Sequence, residues 1–253
     1  LLPWRLAASP FFELLSLLQE AQVLPRMFPS PWPLGMEGES EPQPASRLWD
    51  PAFKLAIGDA QRLFGIDVDV YFMPSLPGHV LPLEAPAPGG RPIVVLDNSV
   101  MERADAERRF LLGRAFEALR VGYAFLLRLS TAEQAQWVRL YQGLLAPIAS
   151  RDPSIADFVA GLPRPMQARL DRLASAVNQV TGADGTAVGP QVLNIDPQSI
   201  LQALPQVADR AGLVFCDDVH AAVRMMARSQ GEELAVVEGH GGGILLGQVA
   251  GGA

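Results

Sequence analysis

The stretch that decides the fold is Leu111-Leu112-Gly113-Arg114-Ala115-Phe116-Glu117-Ala118-Leu119-Arg120-Val121-Gly122-Tyr123. A strand-like run, Pro92-Ile93-Val94-Val95-Leu96, comes before it, and residues 101–109 form a charged helix opening between the two. From residue 105 to about residue 129 the apolar side chains recur at helical spacing and become denser along the chain. This pattern predicts a central, buried helix that follows a strand.

Two strands are predicted before the central helix. Val68, Val70 and Phe72 alternate with more polar neighbours, which is the period of a half-buried strand. Residues 92–96 form a second, wholly apolar strand, and residues 76–91 between the two are dense in Pro and Gly and are predicted as a loop. We expect the strands to pair as an antiparallel meander beside the helix. The predicted fold class is α+β, mostly helical, with a small antiparallel sheet packed on a central buried helix.

Capping residues mark other helix starts. Asp50-Pro51, Asp152-Pro153 and Asp196-Pro197 each place an Asp cap before a Pro that can begin a helix, and Ser130-Thr131-Ala132-Glu133 is a capping box. Pro205 is predicted to kink or split the helix that follows Asp196. We predict three units: an N-terminal helix with a Pro-rich linker or strap (1–46), a main domain (47–237) and a flexible Gly-rich tail (238–253).

Composition narrows the functional classes. The net charge of −7 argues against a protein that binds nucleic-acid phosphates, because such binding needs a basic face. Cys216 is the single cysteine, so no intramolecular disulfide can form and a reducing, cytoplasmic location is predicted. The longest apolar runs are shorter than the ~20 residues that cross a bilayer, so no membrane span is predicted. Because the basic residues are almost all Arg and position 1 is not Met, we expect a piece of a larger bacterial protein.

Few residues offer catalytic or metal chemistry. His79, His220 and His240 share no helix, and none has a second His or a Cys at metal-ligand spacing. The chain contains neither a G-x-S-x-G nucleophile elbow nor the Gly-rich loops that bind nucleotide phosphates. We therefore predict no metal, no cofactor and no catalytic residue.

Two motifs resemble those of a known family. Leu112-Gly113 and Leu119-Arg120-Val121-Gly122 are similar to the flanks of the L-G-H-E-x-x-H-x-x-x-G-H helix of zinc metallopeptidases of the HtpX and CAAX-endopeptidase class. Ala208-Asp209-Arg210-Ala211-Gly212 resembles the second half of that family's E-x-x-A-D-R helix, which supplies the third zinc ligand. The motifs occur in the family's order, so the resemblance implies a zincin-like fold.

The resemblance also implies that the zinc chemistry has been lost. At the three ligand positions stand Arg114, Ala118 and Pro205, and at the position of the general base stands Ala115. Asp209 matches a family Asp that orients a ligand. We therefore expect a pseudo-enzyme in which an Arg114–Asp209 ion pair replaces the metal between two helices. The alternative is that Arg114 reaches solvent.

The resemblance further implies that the strand before the helix is a sheet edge that binds peptide, here Ile93, Val94, Val95 and Leu96. Because an open edge promotes aggregation, cover by residues 76–88 is the alternative.

The predicted function is a non-catalytic protein-interaction or scaffolding module, with a protein partner that lies in a helical-repeat region of the same or another chain. Two alternatives remain open. One is a peptide- or small-molecule-binding domain that uses the former active-site cleft, and the other is a residual hydrolase with an unrecognised nucleophile.

Overall fold

The computed structural model describes residues 9–28, 42–47, 50–74, 76, 79–85, 89–179 and 196–229. These residues form ten α-helices and four strands, and the fold is mostly helical. In chain order the elements are α1 (Pro10–Glu20), α2 (Leu24–Met27), β1 (Gln43–Pro44), α3 (Pro51–Phe64), β2 (Asp69–Met73), β3 (Val80–Leu83), β4 (Ile93–Asp97), α4 (Asp105–Val121), α5 (Ala124–Arg128), α6 (Thr131–Leu145), α7 (Pro153–Ala160), α8 (Arg164–Gln179), α9 (Pro197–Cys216) and α10 (Val219–Ser229).

The four strands form one mixed sheet in the order β1-β2-β4-β3. β2 and β4 pair in parallel, while β1 on β2 and β3 on β4 are antiparallel. The predicted antiparallel meander of β2 with β4 is therefore wrong. The physical reason is the length of the connection: the chain after β2 is long enough to form another strand at the far side and then return in the direction of β2.

The prediction that Ile93, Val94, Val95 and Leu96 form a sheet edge is also wrong. β4 pairs with β2 on one side and with β3 on the other, so it is an interior strand, and all five of its residues are buried. The edge next to it is β3, which lies in the Pro- and Gly-rich segment predicted as a loop. Cover of β4 by residues 76–88 is the alternative prediction, and Val80–Leu83 of that segment pair with β4.

The central helix α4 is shorter than predicted. It ends at Val121 because Gly122 adopts a left-handed conformation with φ of 83°, a backbone geometry that glycine takes without strain. The separate helix α5 follows. At the middle of α4, Gly113 packs against α9: a Cβ added there would lie 2.9 Å from the carbonyl oxygen of Ala211. This close approach makes α4 and α9 the central helix pair.

Helix α9 carries Pro205 in its interior and runs unbroken through it, so the helix is not split. The predicted helix starts are confirmed. Asp50 accepts a hydrogen bond from the Phe53 N–H at 2.9 Å, and Asp196 accepts one from Ser199. Ser130 and Glu133 form the predicted capping box at α6. In the part of the chain that the structure describes, none of the helices is long and apolar enough to cross a membrane.

The hydrophobic interior consists of two main clusters that share α4 and α9. One lies among α1, α5, α6, α8 and the first half of α9, and the other lies among α3, the sheet, α10 and the second half of α9. Helix α1, from the segment predicted as an N-terminal unit, is thus part of the first cluster. The predicted boundary at residue 237 lies outside the described residues.

Candidate functional site

A cleft of about 630 Å³ lies between β3 and the helices α4, α5, α9 and α10. Such a volume is typical of pockets for small ligands or short peptide segments. The β3 residues on the cleft are Val80, Leu81 and Pro82. The apolar walls come from the helices and consist of Leu111, Ala115, Ala124, Leu127, Ala208 and Met225. The cleft therefore combines an apolar interior with one strand of the sheet.

Five residues stand at the positions that the resemblance assigns to the zinc site, and four of them border this cleft. Arg114 and Ala115 from α4 line it together with Pro205 and Asp209 from α9. Ala118, one turn after Arg114, is fully buried in the first hydrophobic cluster. Four of the five positions thus border one cavity, and Ala118 does not.

Arg114 and Asp209 form the predicted ion pair. The Nε atom of Arg114 lies 2.8 Å from Oδ1 of Asp209, and their side chains are 19% and 10% exposed. Neither of these two atoms makes a well-aligned hydrogen bond within the described residues, so charge attraction dominates the contact. Burial raises the pKa of Asp209, and the charge of Arg114 opposes that shift. The pair connects α4 to α9 at the cleft.

The rest of the Arg114 guanidinium faces the cleft. Its carbon lies 5.8 Å from the centre of the Phe110 ring, which restricts the side chain by a cation–π contact. Its two terminal nitrogens make no hydrogen bond to the described residues and are not among the buried polar atoms. Arg114 therefore presents a planar set of N–H donors to whatever enters the cleft.

His79, just before β3, also borders the cleft. Arg103 Nη2 lies 3.0 Å from His79 Nε2, and because a guanidinium can only donate, the ring is neutral with its proton on Nδ1. The pKa of His79 is lowered by burial and by the charges of Arg103 and Arg228, against an opposing effect of Asp97. The His79 ring is half-buried and packs against Arg103.

A buried carboxylate, Glu107, is shared by three arginines at the end of the cleft near His79. Its oxygens lie 3.1 Å from Arg224, 3.3 Å from Arg228 and 3.6 Å from Arg103, and its side chain is 8% exposed. One negative charge thus faces three positive charges, and Arg228 borders the cavity. No sequence signal marked this cluster, because its members come from two segments more than 110 positions apart.

Glu117 does not take part in the cleft. It is 1% exposed and makes two hydrogen bonds to Arg120 one turn away, at 2.8 and 2.9 Å. The pKa of the Tyr123 hydroxyl is raised mainly by burial of that hydroxyl, and the negative charge of Glu117 raises it further. The pair thus connects a buried carboxylate to an arginine at the surface.

The residues at the positions where the resemblance would place zinc ligands do not fit a zinc ion. Arg114 would place a positive charge beside the metal, and the side chains of Ala118 and Pro205 carry no ligand atom. Among the described residues, His, Cys, Asp and Glu form no group of three or more that could hold a metal. His220 is exposed on α10, and His240 lies outside the described residues.

No protein-family model, curated protein or solved structure matches the chain. The functional conclusion therefore depends on the geometry of the cleft.

Proposed function

We propose that this chain is a catalytically inactive, metallopeptidase-like interaction domain that binds an extended segment of a protein partner in its cleft. The observation that carries the proposal is the Arg114–Asp209 pair: it connects two closely packed helices at a cleft, where the zinc family would need ligands. The cleft is retained beside the sheet, while the residues that would perform hydrolysis are replaced.

The β3 strand supports binding of an extended chain. The N–H of Asp97 donates to the carbonyl of His79, so the pair formed by these two residues is hydrogen-bonded. Because such pairs alternate along an antiparallel ladder, the main-chain groups of Val80 and Pro82 point away from β4. Val80 thus offers one donor and one acceptor to an added strand, whereas Pro82 offers a carbonyl but no N–H. This edge can accept a short segment and resists indefinite sheet extension.

Zinc content tests the inactive, metallopeptidase-like part of the proposal. The unmodified chain, purified without chelator, should contain no stoichiometric zinc by elemental analysis. A rebuilt variant, Arg114→His, Ala115→Glu, Ala118→His and Pro205→Glu, should gain about one zinc per chain, because it restores the ligand spacing on two helices that already lie in contact.

The matched control keeps the substitutions at positions 114, 115 and 205. It places the second histidine one position later, as Leu119→His instead of Ala118→His. That side chain points to another side of α4, so the control should not retain zinc. A rebuilt variant that binds no more zinc than the control would contradict the metallopeptidase-like geometry. About one zinc in the unmodified chain would contradict inactivity, and this measurement needs no engineered protein.

A further inference from the structure

The cleft has a local charge opposite to that of the whole chain. Among the described residues, three arginines border it, Arg114, Arg128 and Arg228, together with one carboxylate, Asp209. His79 is neutral because it accepts a hydrogen bond from Arg103. The chain as a whole carries a net charge of −7, so this cationic lining is not a consequence of composition.

Carboxylates offset part of this positive charge, since Asp209 pairs with Arg114 and Glu84 with Arg128. At the end near His79, Glu107 is shared by Arg228, Arg224 and Arg103, so one carboxylate contacts three guanidinium groups there. At the other end Arg128 contacts Glu84 at 3.4 Å and the carbonyl of Phe28 at 3.1 Å, so it contributes mainly through its charge. Arg114 has terminal donors available for direct contact.

The arginines are distributed along β3 rather than gathered at one point. The charge of Arg228 lowers the pKa of His79, which precedes the strand. Arg128 pairs with Glu84, which follows the strand. At about 3.4 Å per residue, the five steps from His79 to Glu84 span about 17 Å. Arg114 borders the same cleft from α4. An extended chain with several carboxylates can therefore meet cationic side chains near both ends of β3.

We propose that the cleft selects an acidic peptide segment. The segment lies along β3 and pairs with the main chain at Val80, while its carboxylates bind Arg114 directly and are attracted by Arg228 and Arg128. A partly desolvated guanidinium fork fits a carboxylate with two parallel hydrogen bonds. The apolar helix walls accept the alternate side chains. This inference rests on the proposed function, since it names the chemistry of the ligand for the same cleft.

A peptide is favoured over a nucleic acid because the cleft offers strand main-chain groups and apolar walls. Stacking of bases favours the large aromatic side chains, and no Phe, Tyr or Trp borders this cavity in the described part of the chain.

Fluorescence anisotropy with two matched probes tests the inference. The first is a labelled hexapeptide of alternating Val and Glu, blocked at both ends, and the second has Gln in place of Glu. The Glu probe should bind at least about tenfold more tightly, which corresponds to one charge-assisted hydrogen bond. The difference should shrink as NaCl is raised, because salt screens the partly exposed charges.

Arginine variants locate the contact. Arg114→Gln and Arg228→Gln should each reduce affinity for the Glu probe by about three- to tenfold and should reduce affinity for the Gln probe less, because a neutral amide gains no charge attraction from a guanidinium. Arg114→Lys retains the charge but loses the fork, so it should restore only part of the binding. The matched control is Arg62→Gln on α3, whose side chain is 77% exposed and outside the cleft. Circular dichroism checks that each variant is folded.

The outcomes separate the inference from the proposed function. Equal, salt-insensitive binding of both probes would overturn the acidic preference and leave peptide binding in place. Binding of neither probe would overturn both. Tighter binding of a single-stranded DNA oligonucleotide than of the Glu probe, with the same dependence on Arg114, would overturn the choice of a peptide ligand.

Discussion

At the scale of single residues, the Arg114–Asp209 pair is a partly buried ion pair at the wall of the cleft. Replacing one partner leaves the other charge partly buried, and this costs more than the pair itself contributes. Loss of the partner charge should cost more when Asp209 is left alone than when Arg114 is left alone, because burial already raises the pKa of Asp209. The pair therefore contributes to the coupling of α4 with α9 as well as to the shape of the cleft.

A double-mutant cycle tests this coupling. Arg114→Ala should lower the free energy of unfolding by an amount between the ~1 kcal/mol of an exposed pair and the ~3–5 kcal/mol of a fully buried one. Asp209→Asn should have a smaller effect, and the two losses should not add. Denaturant melts of both single variants and the double variant give the coupling. Strict additivity would show that the two charges do not interact.

The cost of Arg114→Ala should also depend on pH. The folded-state pKa of Asp209 lies above its ordinary value of 3.8, so the folded chain binds this proton more tightly than the unfolded chain does. The protonated Asp209 carboxyl therefore contributes stability that is fully present below pH 3.8 and is lost as the pH rises through the raised folded-state pKa. Removing Arg114 enlarges the loss at neutral pH. The difference between the unmodified chain and Arg114→Ala should therefore shrink on acidification, as followed by melts across that range.

At the scale of elements, the contact between α4 and α9 depends on two glycines. A Cβ at Gly113 would lie 2.9 Å from the Ala211 carbonyl oxygen, and a Cβ at Gly212 would lie 2.7 Å from the Phe110 carbonyl oxygen. Both neighbours are backbone atoms, so a side chain could fit only if the helices moved apart. The small residues thus set the separation at which Arg114 meets Asp209.

The substitution Gly113→Ala should destabilise the protein by about 1–3 kcal/mol because it overfills this contact. Gly58→Ala in the middle of α3 is the matched control, since a Cβ there meets nothing within 4 Å. The control should instead stabilise by about 0.5–1 kcal/mol, because alanine favours the helix. Thermal melts of both variants measure the two effects. Equal shifts would mean that helix propensity alone, and not packing, determines the result at Gly113.

At the scale of the whole molecule, α4 and α9 belong to both main hydrophobic clusters. In α9, Leu204 packs in the first cluster and Phe215 in the second. In α4, Ala118 packs in the first cluster and Phe116 in the second. A helix cannot unfold in one half without weakening the other. The described residues should therefore unfold as one cooperative unit.

Leu144→Ala in the first cluster and Leu96→Ala in the second test this expectation. Both side chains are fully buried, so each substitution should cost about 2–5 kcal/mol. Each should shift one single transition in far-UV circular dichroism to lower denaturant concentration. Two separate transitions, with each variant moving only one of them, would contradict a shared core.

The sequence by itself determined the features that depend on near neighbours. The Asp-Pro starts, the capping box at Ser130 and the buried helix around Phe116 follow from residues a few positions apart, and the structure confirms them. The Arg114–Asp209 pair was predicted from two motifs in a fixed order, and it is present.

Only the tertiary structure decided the strand order and the full composition of the cleft. Val80-Leu81-Pro82-Leu83 has no alternating pattern and contains a proline, so its strand conformation depends on pairing with β4 rather than on its own residues. The parallel pairing of β2 with β4 depends on how the intervening chain crosses over. His79, Arg128 and Arg228 meet at the cleft through the packing of distant helices on that strand, and because such contacts join distant parts of the chain, no local pattern records them.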